Sequence, residues 1–499
     1  MSGKAIADID ERRYKSVCGT STRRTFFVQE THLMLSLSDH ISRRRPMGRR
    51  NFMQIGGLGL GGLAMGSPEL SAAAAEIKST TGKSVVFLFQ QGGPTQHETF
   101  DPKLNVPVEI ASVGGDIATT VPGMRFGSSM RKLAQHAHKL AVVRNFQTNT
   151  GHGGVLPIVS SLTQGASIGA VYSAVAGTNH PKTGLPNSMF MIPKSIDPEQ
   201  KSLGERFGKF DSTGSLSKAF TPFMPGGEGP LQEAMKLNLP RERFDNRRDL
   251  LQRLDNARRS VEAGEGLSGL QQQAMELVLK GVADAFDLSK EDPRTLARYD
   301  TAAYCNSDHW TYGGGKTRNN IPWYTAHTQT LGKLLLLARR LCEAGCGFIT
   351  IHSEFVWDFH ADGNNVPVHQ GKPLVIEPFD HAVSAFIEDC EERSLSDDIM
   401  LVCCGEMGRT PKINKNGGRD HWPRLGPLML YGGGKTDGQI IGKSTRDGSD
   451  ADGTPLRPDD LLATIFHTLF DYGQARLIPG LPFELKNTLA RIEQMPGVV

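Results

Sequence analysis

Short apolar runs alternate with helical segments along this chain of 499 residues, and that alternation restricts the fold more than any other feature. The runs at 84–90, 346–352 and 399–404 combine β-branched, aromatic and other apolar residues, which is typical of buried strands. Segments 324–344 and 379–393 repeat apolar residues at helical spacing. The pattern predicts an α/β fold, a three-layer α/β/α sandwich with a mostly parallel sheet. Further strands are predicted at 140–144, 189–192 and 428–431, and further helices at 128–138, 155–162 and 459–470.

The N-terminal segment has the order of an export signal. The sequence RRNFM at 49–53 resembles the twin-arginine motif, and it precedes a glycine-rich apolar run and a stretch of small residues that offers a cleavage site. Met47 lies just before the motif, which marks 1–46 as a candidate upstream extension. We therefore predict that residues 1–75 direct export to the periplasm or beyond by the twin-arginine machinery, leaving 76–499 as the globular domain. A basic tail is the alternative.

Composition excludes several classes of partner and site. The formal net charge of +3 is too small to indicate a nucleic-acid partner. No apolar run outside the N-terminal segment is long enough to span a bilayer. None of the seven cysteines forms a C-x-x-C pair, which favours core packing over a disulfide framework. Residues 240–292 carry dense mixed charge at helical spacing, so we expect a helical excursion with a solvated face.

The stretch 397–423 is the main candidate for a functional site. Its apolar run 399–404 predicts a buried strand, which places Glu406 at the carboxyl end of that strand. Open α/β sheets bind ligands at that edge. Arg409, Asp420 and His421 follow within one glycine-rich loop, and their mixed chemistry favours a polar site over a solvated surface loop.

Other predicted strands end in similar residues. Glu98 and Asp101 follow the first strand, past a Gly-Gly-Pro turn, and Asp358 and His360 follow a later one. A carboxylate and an imidazole one residue apart can bind a single metal ion where the backbone is extended or turned. We expect these strand ends to converge, although a lone histidine more often has a structural role.

A glycine-rich turn at 149–154 precedes the predicted helix 155–162. Free backbone N–H groups at a helix N-terminus form an anion site, and Thr150 or His152 would lie beside the anion. We predict catalytic roles for Thr150, His152 and Arg409, with Thr150 as the nucleophile on position alone.

The collected side chains have the chemistry of a metal centre. Carboxylate and imidazole ligands together suit Zn²⁺, Mn²⁺ or a harder ion such as Ca²⁺. Two such ions clamp the attacking and leaving oxygens of phosphoryl or sulfuryl transfer, and an arginine or the amides of 151–154 would hold the remaining oxygens. We therefore predict an ester hydrolase with one or two divalent ions. The candidate ligands are Glu98, Asp101, Asp358, His360, Glu406, Asp420 and His421.

Three sequence blocks resemble the signature of a known family. They read QGGPTQHETFDPK from 91, WDFHADGN from 357 and GEMGRTPKINKNGGRDHWP from 405. The blocks resemble the exported bacterial family called domain of unknown function 1501, from about residue 85 to near the C-terminus. That family is grouped by fold with the alkaline phosphatase and sulfatase superfamily. The resemblance thus implies an alkaline phosphatase-like fold with a bimetal site at the strand ends, in which the helical excursion at 240–292 would be an insertion.

The resemblance also implies a ligand arrangement and a function. By position, one metal site would comprise Asp358, His360 and His421, and the other Glu406 with Asp101 or Glu98. Superfamily enzymes usually carry Asp-His where this chain has Glu-Met at 406–407, and the C-x-P-S-R sulfatase signature is absent. The implied function is hydrolysis of phosphate or sulfate esters, small or polysaccharide, in the cell envelope. The alternative is an exported binding or structural protein that kept the fold and lost turnover.

Overall fold

The computed structural model describes residues 79–200, 208–225, 282–306, 320–434, 438–475, 481–491 and 493–498. The strands in these residues are β1 (Ser84–Phe89), β2 (Asp116–Ala118), β3 (Arg125–Gly127), β4 (Leu140–Phe146), β5 (Ser188–Met191), β6 (Phe348–His352), β7 (Ile399–Cys404), β8 (Gly408–Ile413), β9 (Arg419–Trp422), β10 (Gly426–Gly432) and β11 (Gln439–Ile441).

Seven of the strands form one sheet in the order β11-β4-β10-β7-β1-β6-β5. β1 pairs in parallel with β6 and β7, β5 with β6, and β11 with β4. Within this sheet β10 runs antiparallel to both its neighbours, β4 and β7, so the other six strands point the same way. The remaining strands form two antiparallel pairs, β2 with β3 and β8 with β9. The mostly parallel sheet predicted from the sequence is confirmed.

The α-helices of the described chain are α1 (Ile168–Ala176), α2 (Val282–Phe286), α3 (Pro293–Arg298), α4 (Ile321–Glu343), α5 (Val368–Gly371), α6 (Glu377–Glu392), α7 (Pro458–Leu469), α8 (Tyr472–Ala475) and α9 (Phe483–Arg491). Short 3₁₀ segments lie at Leu133–Lys139, Pro193–Ser195, Lys218–Phe220, Leu288–Lys290 and Ala302–Tyr304, and a π-helical segment, Lys372–Ile376, leads into α6.

Helices cover both faces of the sheet. Val86 and Leu88 of β1 belong to a core formed with α4 and α6, whereas Val85 and Phe87 belong to a second core formed with α1 and α7. Alternate side chains of a strand point to opposite faces, so this division shows three layers, as the sequence predicted. Five of the six described cysteines are buried and all six are free thiols, which agrees with core packing.

The predicted helix at 155–162 is wrong. This segment forms turns, and the next helix, α1, begins at Ile168 with the Ser167 hydroxyl accepting from the backbone N–H of Ala170. Pro157 explains the difference, because the residue before a proline is disfavoured in the helical region. The turn at 149–154 therefore opens no helix, and the anion site predicted there at a helix N-terminus is also wrong.

Two further segments differ from the sequence prediction. The loop expected after residue 405 contains the hairpin of β8 and β9, in which Arg409 lies opposite His421. The α-helix expected at 128–138 is a 3₁₀ helix over Leu133–Lys139. Its start is set by the Asp380 carboxylate, which accepts the backbone N–H groups at that point.

Some sequence predictions fall outside the described residues. These are the export signal at 1–75 and most of the helical excursion at 240–292, of which the structure describes only the part from 282 onward, including α2. Among the described helices, none combines the length and apolar character that a membrane span requires.

Candidate metal centre

The three neighbouring strands β7, β1 and β6 end at the same level of the sheet. Phe89, the last residue of β1, pairs with His352 at the end of β6 and with Cys404 at the end of β7. Because these strands are parallel, the turns that follow them leave the sheet at one edge. The turn after β6 carries Asp358 and the turn after β7 carries Glu406, as the sequence predicted for a site at that edge.

Three predicted site residues from distant segments meet at this edge. His152, Asp358 and His421 each offer a ligand atom, and these atoms all lie within 4.8 Å of one another. The two imidazole Nε2 atoms are 2.9 Å apart. The carboxylate of Asp358 lies 3.5 Å from His152 Nε2 and 3.6 Å from His421 Nε2. Among the described residues, this is the one group of three or more such side chains with that geometry.

The donor set fits a divalent metal ion. Two imidazole nitrogens directed at each other at 2.9 Å cannot both point lone pairs inward without a proton or a cation between them. Asp358 is buried, and its carboxylate faces both imidazoles as well as the guanidinium of Arg409. His421 has 44% of its side chain exposed, so the centre is open to solvent on that side. Imidazole nitrogens with one carboxylate are typical ligands of Zn²⁺ and Mn²⁺.

His360 lies beside this group. Its Nε2 atom is 3.1 Å from Asp358 Oδ2, and its ring centroid is 5.2 Å from that of His421. Phe359, between the two predicted ligands, is buried in the core, which leaves Asp358 and His360 together at the sheet edge. Burial alone would lower the pKa of His360, but the hydrogen bond and charge of Asp358 raise it.

Glu406 contacts the centre through His152 rather than directly. Its Oε1 atom lies 2.7 Å from His152 Nδ1 and accepts the backbone N–H of Gly92 at 2.9 Å. Burial alone would lower the pKa of His152, but its hydrogen bonds to Asp358 and Glu406 raise that pKa to about 9. Phe355 packs edge-on against the same imidazole, with ring centroids 4.6 Å apart.

Arg409 is fully buried and its donors face protein atoms. Its Nη1 atom is 2.5 Å from Asp358 Oδ1 and donates to the carbonyl of Arg419 at 3.2 Å. Its Nε donates to the Gly93 carbonyl at 2.9 Å, and Nη2 donates to the carbonyl of Gly92. A guanidinium engaged in this way organises the turn after β1 and has little left for substrate oxygens.

Arg409 also sets the charge state of Asp358. Burial alone would raise the pKa of Asp358. The charge of Arg409, followed by hydrogen bonds from the surrounding histidines, outweighs burial and holds that pKa well below its usual range. The carboxylate is therefore ionised and ready to accept a cation.

Three predicted ligands lie apart from the His152, Asp358 and His421 group. Glu98 is fully buried in an ion pair with Arg419, at 2.8 Å. Asp101 pairs with Lys103 at 3.0 Å. Asp420 is exposed on β9. Among the described residues, Glu98, Asp101 and Glu406 do not belong to any group of three or more ligand side chains that could hold a second metal ion.

Thr150 and Gly92 complete the comparison with the sequence. The Thr150 hydroxyl makes a 3.4 Å contact with the Gly151 carbonyl. Sequence reasoning missed Gly92, whose N–H binds Glu406 and whose Cα packs so closely that an added Cβ would lie 2.6 Å from the backbone nitrogen of Asp358. The Gln-Gly-Gly-Pro turn was the available signal.

Comparison with known proteins supports the family resemblance. A family model described as protein of unknown function (DUF1501) matches residues 82–485. Comparison with curated proteins finds no match.

Similar solved structures include a sulfatase, a phosphatase and a phosphonate hydrolase. PsFucS1 sulfatase from Pseudoalteromonas sp. has 11% sequence identity, with 85% of this chain and 72% of that chain covered and a TM-score of 0.31. A mutant of TAB5 alkaline phosphatase with Mg bound has 10% identity, 74% and 96% coverage and a TM-score of 0.26. Phosphonate monoester hydrolase of Agrobacterium radiobacter has 8% identity, 78% and 74% coverage and a TM-score of 0.27. These likenesses concern the fold alone and carry no argument about the site.

Proposed function

We propose that this chain, which belongs to the DUF1501 family, binds one divalent metal ion and hydrolyses phosphate or sulfate esters at it. The ligands in this proposal are His152, Asp358 and His421, with His360 beside them. The observation that carries it is the convergence of three ligand atoms within 4.8 Å, at the edge of the sheet where the parallel strands end.

The residues of the chain would have distinct roles. A divalent ion bound there would polarise a phosphoryl or sulfuryl oxygen and make water more acidic. Asp358, kept ionised by Arg409, supplies the negative charge that holds the ion. His421 is exposed and marks the side from which an ester approaches. Two or three imidazoles favour Zn²⁺ or Mn²⁺ over Ca²⁺, which prefers all-oxygen sites.

Water is our proposed nucleophile. The Thr150 hydroxyl faces a backbone carbonyl, which cannot take up its proton. Thr150→Ala should therefore keep most of the activity. A complete loss, with metal content unchanged, would instead assign the attack to Thr150, as the sequence predicted.

Metal content and ester hydrolysis test the proposal directly. We expect the purified protein to hold about one Zn²⁺ or Mn²⁺ ion per chain by elemental analysis, and to cleave an aryl phosphate, phosphodiester or sulfate. Asp358→Ala and His421→Ala should each lower metal occupancy. His138→Ala, at another exposed histidine that contacts Thr120, is the matched control and should leave occupancy unchanged. Unchanged occupancy in both ligand variants would overturn the proposal.

A second candidate is a metal-binding protein without turnover. It is favoured by the engagement of the Arg409 donors with protein atoms and by the separate ion pairs of Glu98 and Asp101. It predicts a stoichiometric metal ion and no hydrolysis of any of the three ester classes. In either case we propose export by the twin-arginine machinery, on the strength of the motif at 49–53.

A further inference from the structure

Glu406 is buried and linked to the candidate centre through a histidine. It is fully buried at the end of β7, and its Oε1 atom is 2.7 Å from His152 Nδ1. The opposite nitrogen of that ring, Nε2, faces Asp358 and His421. Glu406 itself lies outside the group of atoms that converge within 4.8 Å.

This contact fixes which way the His152 ring faces. An ionised carboxylate accepts hydrogen bonds and donates none, and Oε1 already accepts the N–H of Gly92, so we assign the proton of this contact to Nδ1. With Nδ1 protonated, only Nε2 is left to bind a metal ion. Histidine ligands commonly have their second nitrogen bound to a carboxylate in this way, which orients the ring and raises its basicity.

The same oxygen also positions the turn after β1. Oε1 accepts the N–H of Gly92 at 2.9 Å. The Gly92 backbone packs directly against that of Asp358, since a Cβ on Gly92 would lie 2.6 Å from the Asp358 nitrogen. Through this one oxygen, Glu406 thus contacts both the ring of His152 and the turn that packs against Asp358.

We propose that Glu406 is a positioning residue that presents His152 Nε2 to the metal ion, rather than a ligand as the sequence suggested. This inference rests on the proposed metal centre. It predicts that the length and acceptor oxygen of the side chain matter more than its charge, because Nδ1–H can donate to an amide carbonyl as well. Glu406→Gln should therefore rescue much of what Glu406→Ala loses.

Zinc affinity and the state of the His152 ring provide two readouts independent of activity. Zn²⁺ affinity is measured by competition with a chromophoric chelator for the full chain and both variants. Loss of a carboxylate bound to a ligating histidine typically costs 10–100-fold in metal affinity, so we expect that loss for Glu406→Ala and a smaller one for Glu406→Gln. In ¹⁵N-histidine-labelled, zinc-loaded protein, the Nδ1–H signal of His152 should be present in the wild type and Glu406→Gln, and should exchange rapidly in Glu406→Ala.

A matched control separates this role from general destabilisation. Glu98→Gln changes a carboxylate that is equally buried but pairs with Arg419, so it should lower stability and leave zinc affinity unchanged. An equal loss of affinity in Glu406→Gln and Glu406→Ala would make Glu406 a direct ligand and overturn the inference. Wild-type affinity in both Glu406 variants would also overturn it. Failure of the wild type to bind zinc or manganese would instead reject the proposed function itself.

Discussion

Replacing Arg409 with methionine tests how the centre is held together. The guanidinium is fully buried, 2.5 Å from Asp358 Oδ1, and donates to the carbonyls of Gly92, Gly93 and Arg419. Methionine keeps an apolar stem but removes the charge and all side-chain donors. Removing one partner of a buried ion pair typically costs about 3–5 kcal/mol, because the other charge stays buried without a counter-ion. We expect Arg409→Met to lower the free energy of unfolding by about that amount.

The effect should depend on pH in a defined direction. Asp358 has a depressed pKa in the folded protein, mainly because Arg409 outweighs the cost of its burial. Such a group contributes stability above its usual pKa of 3.8, and the contribution is lost as the pH falls through the folded pKa. The difference in unfolding free energy between wild type and Arg409→Met should therefore be full at neutral pH and shrink in strong acid.

Urea denaturation followed by circular dichroism measures both quantities. Arg424→Met is the matched control, because Arg424 pairs with Asp450 but is 59% exposed, and exposed pairs typically contribute about 0–1 kcal/mol. The Asp358→Asn/Arg409→Met double variant should lose less than the sum of the single variants, since the two side chains interact. Equal losses for Arg409→Met and Arg424→Met, or a loss for Arg409→Met that persists undiminished in acid, would refute the reasoning.

Three further predictions follow from other features. Gly92→Ala should weaken metal binding, because a Cβ there would lie 2.6 Å from the backbone nitrogen of Asp358. Gly115→Ala is the control: Gly115 also has a positive φ, but a Cβ there would meet open space, so metal content should stay unchanged. Equal loss of metal in both variants would contradict this reasoning. Burial alone would raise the pKa of Glu291, but hydrogen bonds from two arginines lower it from 4.5 to about 2, so its contribution to stability should fade as the pH falls from 4.5 toward 2. Urea denaturation should show a weaker acid dependence in Glu291→Gln, and an identical one would count against this assignment. Lysine at both Arg49 and Arg50 should abolish export in a cell-fractionation assay, and unchanged export would exclude the twin-arginine route.

Sequence patterns predicted the elements that build the edge of the sheet. The strand at Ile399–Cys404 has the predicted bounds, and the strand at Ser84–Phe89 is one residue shorter than predicted. Buried parallel strands are continuous apolar runs, so the position where each ends can be read locally. That is why Asp358 and Glu406 could be selected as candidates before their neighbours were known.

Partner choice could not be read in the same way. Glu98 and Arg419 are 321 positions apart, and only the folded chain brings them into one ion pair. Arg409 looked free to bind substrate because its burial depends on the β8–β9 hairpin and the turn after β1 packing together. A carboxylate at a strand end is thus identified by local pattern, whereas its role depends on which distant side chain it contacts in the folded chain.

The spacing of the candidate ligands along the chain has a consequence for how a metal ion could be acquired. His152 and His421, whose ring nitrogens are 2.9 Å apart, are separated by 269 positions. Closing so long a loop costs conformational entropy, so contacts between such distant segments form late, after local structure. An ion held between them would therefore be taken up by a nearly finished fold, and the compartment in which folding is completed would determine which metal it receives.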